Sequence, residues 1–187
     1  YNRINGKELK EKIRQSTEPR TTISFYKYHH LSEPAVFRDD LYKLLDQISV
    51  LGRIYVAKEG INAQISVPNS QLDTFRTQLF SIDFLNGIRL NLAVDDNGKS
   101  FFKLKILVRK KIVADGLNDA TFDVTNCGVH VNAQQFNQLA DDPNTVVVDM
   151  RNHYESEVGH FKNAILPDVD TFREELKVVE ELLQDQK

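Results

Sequence analysis

The chain has almost none of the residues that announce covalent or metal chemistry. Its 187 residues contain one cysteine, Cys127, which rules out an internal disulfide framework. No Cys/His pairs stand at ligand spacing, so no zinc site can be proposed. His29 and His30 are adjacent, and in a strand they would point to opposite faces, a poor geometry for sharing one metal. No haem, flavin or metal motif is evident. Also missing is any apolar run near the roughly 18 residues that a membrane helix needs. The start "YNRINGKELKEKIRQS" has the character of neither a signal peptide nor an acid-poor transit peptide, so the expected compartment is the cytoplasm.

What is present is the composition of a soluble globular protein, 41% hydrophobic and 27% charged, long enough for one large or two small domains with real cores. The net charge of -3 hides an asymmetry. Residues 1–115 hold 19 Lys+Arg against 13 Asp+Glu, a balance of +6, and residues 116–187 hold 5 against 14, a balance of -9. A basic first half is compatible with a polyanion partner; the blander alternative is that charge keeps each half soluble or lets the halves dock.

After a polar lead-in over residues 1–19, helical or frayed between 5 and 17, "TTISFYKY" (21–28) has the β-branched and aromatic content of a strand. "SEPAVFRDDLYKLLDQIS" places Phe37, Leu41, Leu44, Leu45 and Ile48 at helical spacing, with Ser32 as N-cap and Pro34 near the first turn. "GRIYVAKEGINAQISVP" reads as a strand, a tight Glu59-Gly60 connection and a returning strand in which Ile61, Ala63, Ile65 and Val67 alternate with polar residues. A second helix follows Asn69 or Ser70 through Leu72, Phe75 and Leu79, and "GIRLNLAV" (87–94) supplies a fourth strand. The order βαββαβ is the ferredoxin-like arrangement, an α+β domain with two helices on one face of an antiparallel sheet. The run "SFFKLKILVRKKIVA" (100–114) either extends the sheet or leads out of the domain, which is expected to span 20–114.

The face without helices is free to meet a ligand or a neighbouring domain. Tyr26 and Tyr28 share one face of the first strand. Aromatics of this kind beside Arg53, Lys58, Lys103, Lys105, Arg109, Lys110 and Lys111 would suit single-stranded RNA, the rings stacking on bases and the cations meeting phosphates. The alternative is that the tyrosines pack against a second domain and the lysines form a solvated edge.

Residues 115–130 read as a linker, and Cys127 within it has only Gly128 and His130 nearby to activate a thiol, so an incidental thiol is the favoured reading. From 131 a new α/β domain begins. "NAQQFNQLADDPN" is a short helix capped by Asn132, and "TVVVDM" (145–150) has the look of a strand buried on both faces of a parallel sheet. Asp149 and Arg151 lie at its carboxyl end, where open α/β sheets place binding residues. Glu155, Gly159 and His160 follow, then "FKNAILP" and a helix behind Thr171. Taken alone, Asp149, Arg151 and Glu155 are more commonly a buried ion-pair network holding a loop, so the cluster by itself is only a candidate site.

These residues carry a resemblance. The spacing Asp149-x-Arg151-x-x-x-Glu155-x-x-x-Gly159-His160-Phe161-x-x-Ala164-Ile165 resembles the upstream signature of the rhodanese fold. Together with "FYKY", "GRIYVAKEGINAQIS" and "FFKLKILVRKKIV" in the first half, the collinear match over about residues 20–175 resembles the bacterial rhodanese-like tRNA uridine hydroxylases. The resemblance implies oxygen-dependent conversion of the wobble uridine of certain tRNAs to 5-hydroxyuridine, with tRNA as partner and molecular oxygen as co-substrate. It also implies a nucleophilic cysteine in a loop after the next strand, beyond Lys187, whose thiolate would add to C6 of the uridine; Cys127 does not match that position. Arg151 would orient the loop or a phosphate, with Asp149 and Glu155 holding it. The chain is therefore expected to be a catalytically inactive fragment holding a complete first domain and the first part of a rhodanese-like domain (131–187), and the absence of Met before Tyr1 fits trimming there too. The rival readings are a rhodanese-type sulfurtransferase and a non-enzymatic RNA- or protein-binding module.

Overall fold

In the computed structural model, residues 5–93, 99–113, 128–169 and 171–184 are described, and contacts divide the chain into two units, Tyr1–Val113 and Ala114–Lys187. The first opens with α1 (Gly6–Gln15), whose N-terminus is capped by Asn5 accepting from the Lys7 N–H at 3.0 Å. Strand β1 (Arg20–Tyr28) leads to α2 (Pro34–Gln47), then the hairpin β2 (Leu51–Ala57) and β3 (Gly60–Pro68), α3 (Leu72–Phe80), β4 (Asn91–Leu92) and β5 (Leu104–Val108). The strand order is β4-β1-β3-β2-β5. Its first four members pair antiparallel, as the βαββαβ order predicts, and β5 adds beside β2 in parallel, which makes the sheet mixed. Of the two alternatives for residues 100–114, extension of the sheet is the one observed.

Period-two alternation decides which face is buried. Ile23 and Phe25 of β1, Ile54 and Val56 of β2, Ile61, Ala63, Ile65 and Val67 of β3, and Leu104 and Ile106 of β5 form one core with Leu41 and Leu45 of α2 and Phe75 and Leu79 of α3. Both helices thus cover the same face.

The expected boundaries shift in four places. Helix α2 starts at Pro34 with Glu33 as N-cap and no side-chain cap, because Pro34 itself supplies the first-turn geometry; Ser32 is not the cap. The hairpin loop is Lys58-Glu59, not Glu59-Gly60, and Gly60 is the first residue of β3. Before α3 lies a short 3₁₀ turn, Asn69–Gln71, and neither Asn69 nor Ser70 caps the helix: Asn69 accepts from the Thr21 hydroxyl at 2.8 Å, and Ser70 donates to Glu18 at 2.9 Å. The fourth strand shrinks to two residues paired with Ile23 and Ser24. Ile88 and Leu90 pack on the core without laddering, so their apolar spacing reports burial and not pairing.

In the second unit α4 (Ala133–Ala140) begins with a capping box, Asn132 and Gln135 exchanging bonds of 2.9 Å in both directions. Helices α5 (His153–Val158) and α6 (Phe172–Gln184) follow, the latter behind Thr171 as expected. The expected strand at 145–150 is reduced to one parallel bridge, Val148 to Ile165. Val146 is 44% exposed. A strand buried on both faces needs neighbours on both sides, and here one short partner segment is all that pairs with it among the described residues.

Candidate nucleic-acid interface and the Asp149–Arg151 loop

The helix-free face of the sheet is assembled by register. Across the strands runs one row, Ser24–Gln64–Arg53–Lys105, and beside it a second, Tyr26–Asn62–Tyr55–Leu107. Tyr26 is 58% exposed and stands edge-on to Tyr28, their ring centroids 6.3 Å apart. The Arg109 guanidinium lies 5.5 Å from the centre of the Tyr55 ring. Among the described residues, Arg53, Lys58, Lys103, Lys105 and Arg109 have no carboxylate within ion-pair distance.

Both ends of this face are bounded. At one, Ser100 and Phe101 stand over Thr22, Ser24 and Gln64 across a cavity of about 310 Å³. At the other, Ile112 is buried, its N–H donating to Glu59 Oε1 at 2.7 Å while its carbonyl accepts from Asn62 Nδ2 at 3.3 Å. Between these ends lies a strip of rings flanked by cations.

The sequence candidates therefore separate. Tyr26, Tyr28, Arg53 and Lys105 share the open face, and Arg109 joins them over the Tyr55 ring; Lys103 stands just before β5, Lys58 sits in the β2–β3 loop, and Lys110 and Lys111 in the segment after β5. Tyr55 was absent from the sequence candidates although it is central to the face. The signal was available: in "RIYV" Arg53 and Tyr55 share the parity opposite Ile54 and Val56.

In the second unit Arg151 grips Asp149 through two bonds, Nε to Oδ1 at 2.9 Å and an Nη to Oδ2 at 2.6 Å, and the same Nη donates to the Gly159 carbonyl at 2.6 Å. The hydrogen bonds from Arg151 are the main cause holding the Asp149 carboxyl below its ordinary range, and Asp149 in turn raises Arg151. Glu155 makes no hydrogen bond to Arg151 and accepts instead from Asn152 Nδ2 at 2.9 Å; the Gly159 carbonyl takes the place expected for it. His160 Nδ1 lies 3.0 Å from the Ser156 carbonyl.

Glu175 of α6 is 2% exposed, and its Oε1 has no hydrogen-bond partner among the described residues. Burial first, and the charge of Asp149 second, push its carboxyl above the ordinary value. No pattern in "TFREELKVVEELLQ" singled it out. Cys127 lies outside the described residues. Among them no group of three or more His, Cys, Asp and Glu side chains is placed to hold a metal ion, and no helix is long and apolar enough to cross a membrane.

The first unit is an α+β domain with both helices on one face of its sheet, and its residues 20–112 match the family model described as the UPF0176 acylphosphatase like domain. Similarity extends beyond that domain. The protein named tRNA uridine(34) hydroxylase of Photorhabdus laumondii is 54% identical over 188 residues, which cover 100% of this chain and 53% of the relative. That of Pectobacterium carotovorum is 56% identical over 186 residues (99% and 52%), and that of Escherichia coli O81 53% identical over 188 (100% and 54%). This chain is similar to these proteins along its whole length and spans about half the length of the curated relatives it matches.

Proposed function

We propose that this chain supplies the RNA-holding domain and the start of the rhodanese-like domain of an enzyme that hydroxylates the wobble uridine of tRNA to 5-hydroxyuridine, with molecular oxygen as co-substrate. The observation that carries the reading is identity of 53–56% along the whole chain with proteins bearing the name tRNA uridine(34) hydroxylase. A tRNA substrate would place the work in the cytoplasm.

The first unit is suited to hold such a substrate. Exposed rings accept unstacked bases whatever their identity, and cations with no carboxylate partner among the described residues are available for phosphates. Arg53, Lys105 and Arg109 flank the tyrosine row on the same face, so backbone and bases of one strand can be met together.

In the second unit the Asp149–Arg151 pair fixes the turn that follows the Val148 bridge and ties it to Gly159. Its role would be to frame the active-site loop. The nucleophilic cysteine would come from the part of the relatives' length that this chain does not span.

Mass spectrometry of tRNA from cells lacking the gene is the direct test. Wobble 5-hydroxyuridine should vanish and return when the full-length gene is restored; unchanged levels would sink the reading.

A further inference from the structure

Strand β5 ends the sheet, and among the described residues no strand pairs with its outer edge. Gly52 donates to the Lys103 carbonyl at 3.0 Å, and Arg109 donates to the Val56 carbonyl at 2.8 Å. In a parallel ladder those two bonds fix the odd-numbered main-chain groups of β5 toward β2. The N–H and C=O groups of Leu104, Ile106 and Val108 consequently point away from the sheet. Beside them runs a groove of about 520 Å³, walled on one side by Lys103–Leu107 and on the other by Arg38, Asp39, Tyr42 and Lys43 of α2.

We infer that this groove between the β5 edge and α2 binds an extended acidic segment of another protein as a sixth strand. Strand addition beside a helix combines main-chain bonding along the edge with side-chain selection in the groove. Leu104 and Ile106 face the core side, so the partner's residues alongside them would be apolar and would lie near Tyr42. Lys105 faces the opposite side and Lys103 lines the groove just ahead of the strand, so the residues between would be glutamates or aspartates. The charges support that choice. On α2 Arg38 and Lys43 already have Asp39 at 2.6 Å and Asp40 at 3.1 Å, whereas Lys103 and Lys105 have no carboxylate partner among the described residues.

Other occupants fit less well. RNA offers phosphates and ribose hydroxyls whose spacing does not match a strand, while the edge alternates main-chain donors with acceptors at strand spacing. A second copy would bring its own Lys103 and Lys105 against these, the arrangement by which edge strands repel their own kind. Strand addition here is independent of the RNA reading. It does add a consequence for it: an acidic strand and RNA would compete for Lys103 and Lys105.

The probe is an octapeptide of alternating valine and glutamate, added to the 187-residue chain. Amide hydrogen exchange should slow at Leu104, Ile106 and Val108, and the corresponding valine/lysine peptide should not bind. Val108→Pro removes an outward N–H from a half-exposed position and leaves the β2 ladder its donors, so binding should fall about tenfold or more with the melting temperature unchanged. Should that variant fold poorly, a peptide N-methylated at alternate residues makes the same test on unaltered protein. Exchange unaffected at those three amides, equal binding of the lysine peptide, or full binding of the N-methylated peptide would overturn the inference, as would a β5–β5 dimer of the free chain seen in sedimentation and exchange.

Discussion

At Gly60 a single hydrogen atom keeps two strands in register. A Cβ there would meet the Lys27 carbonyl oxygen at 2.0 Å, and φ is +143°, so both space and backbone exclude a side chain. Gly60→Ala should therefore cost on the order of 3 kcal/mol or more in urea unfolding, since β1 and β3 must part to admit the methyl group. Gly87 is the control. It is also left-handed, at φ +68°, but has open space around it, so alanine there should cost only about 1–2 kcal/mol. Glu175 raises a different question. Because its folded-state pKa lies above the unfolded one, the native state holds the proton more tightly. The stability this brings is complete below the unfolded value and is lost as pH rises through the folded one. Glu175→Gln should accordingly raise the unfolding midpoint at neutral pH and leave it nearly unchanged at acid pH; equal effects at both would refute a titrating role. For the proposed RNA contact, Tyr55→Ala should cost about 1–3 kcal/mol of oligoribonucleotide affinity and Tyr55→Phe little, because stacking needs the ring and not the hydroxyl.

For whole elements, alternation and helical spacing made most of the first unit legible, for a physical reason. Ile61, Ala63, Ile65 and Val67 lie on a central strand with partners on both sides, where burial of one face leaves no alternative register. The edges were less legible. "GIRLNLAV" has the composition of a strand, yet only Asn91 and Leu92 pair, because an edge element can bury Ile88 and Leu90 without forming a ladder. "TVVVDM" misled in the same way, since an apolar run states that a segment wants burial and not how many neighbours it will find. Of the candidate site, Asp149 and Arg151 were readable from spacing, whereas the Gly159 carbonyl that completes the grip is a main-chain group with no sequence signal. Asn132→Ala removes the cap of α4 and should lower the stability of that helix by about 1 kcal/mol, visible in its amide chemical shifts and exchange. Replacing Arg53 or Lys105 by alanine should weaken RNA binding across sequences and reduce the dependence of log K on log salt by about one for each phosphate no longer neutralised; an unchanged slope would remove these residues from the interface.

At the scale of the whole molecule the two units are unequal. Among the described residues, every buried hydrophobic residue lies between Ile23 and Ile112, while Ser156 and Glu175 are the buried polar or charged residues of the second unit. Native-state hydrogen exchange on this chain should therefore show amides within 20–113 opening only with global unfolding of that unit, and those of 128–184 exchanging at lower free energy. Comparable protection in both would contradict that ranking. The closure at Ile112 also gives the first unit a mechanical property. Glu59 and Asn62 hold the exit of β5 against the hairpin end. A tug transmitted along the chain from Ala114 onward would load that clamp before it reached the β5 ladder, so the edge strand would resist peeling at the end where pulling begins.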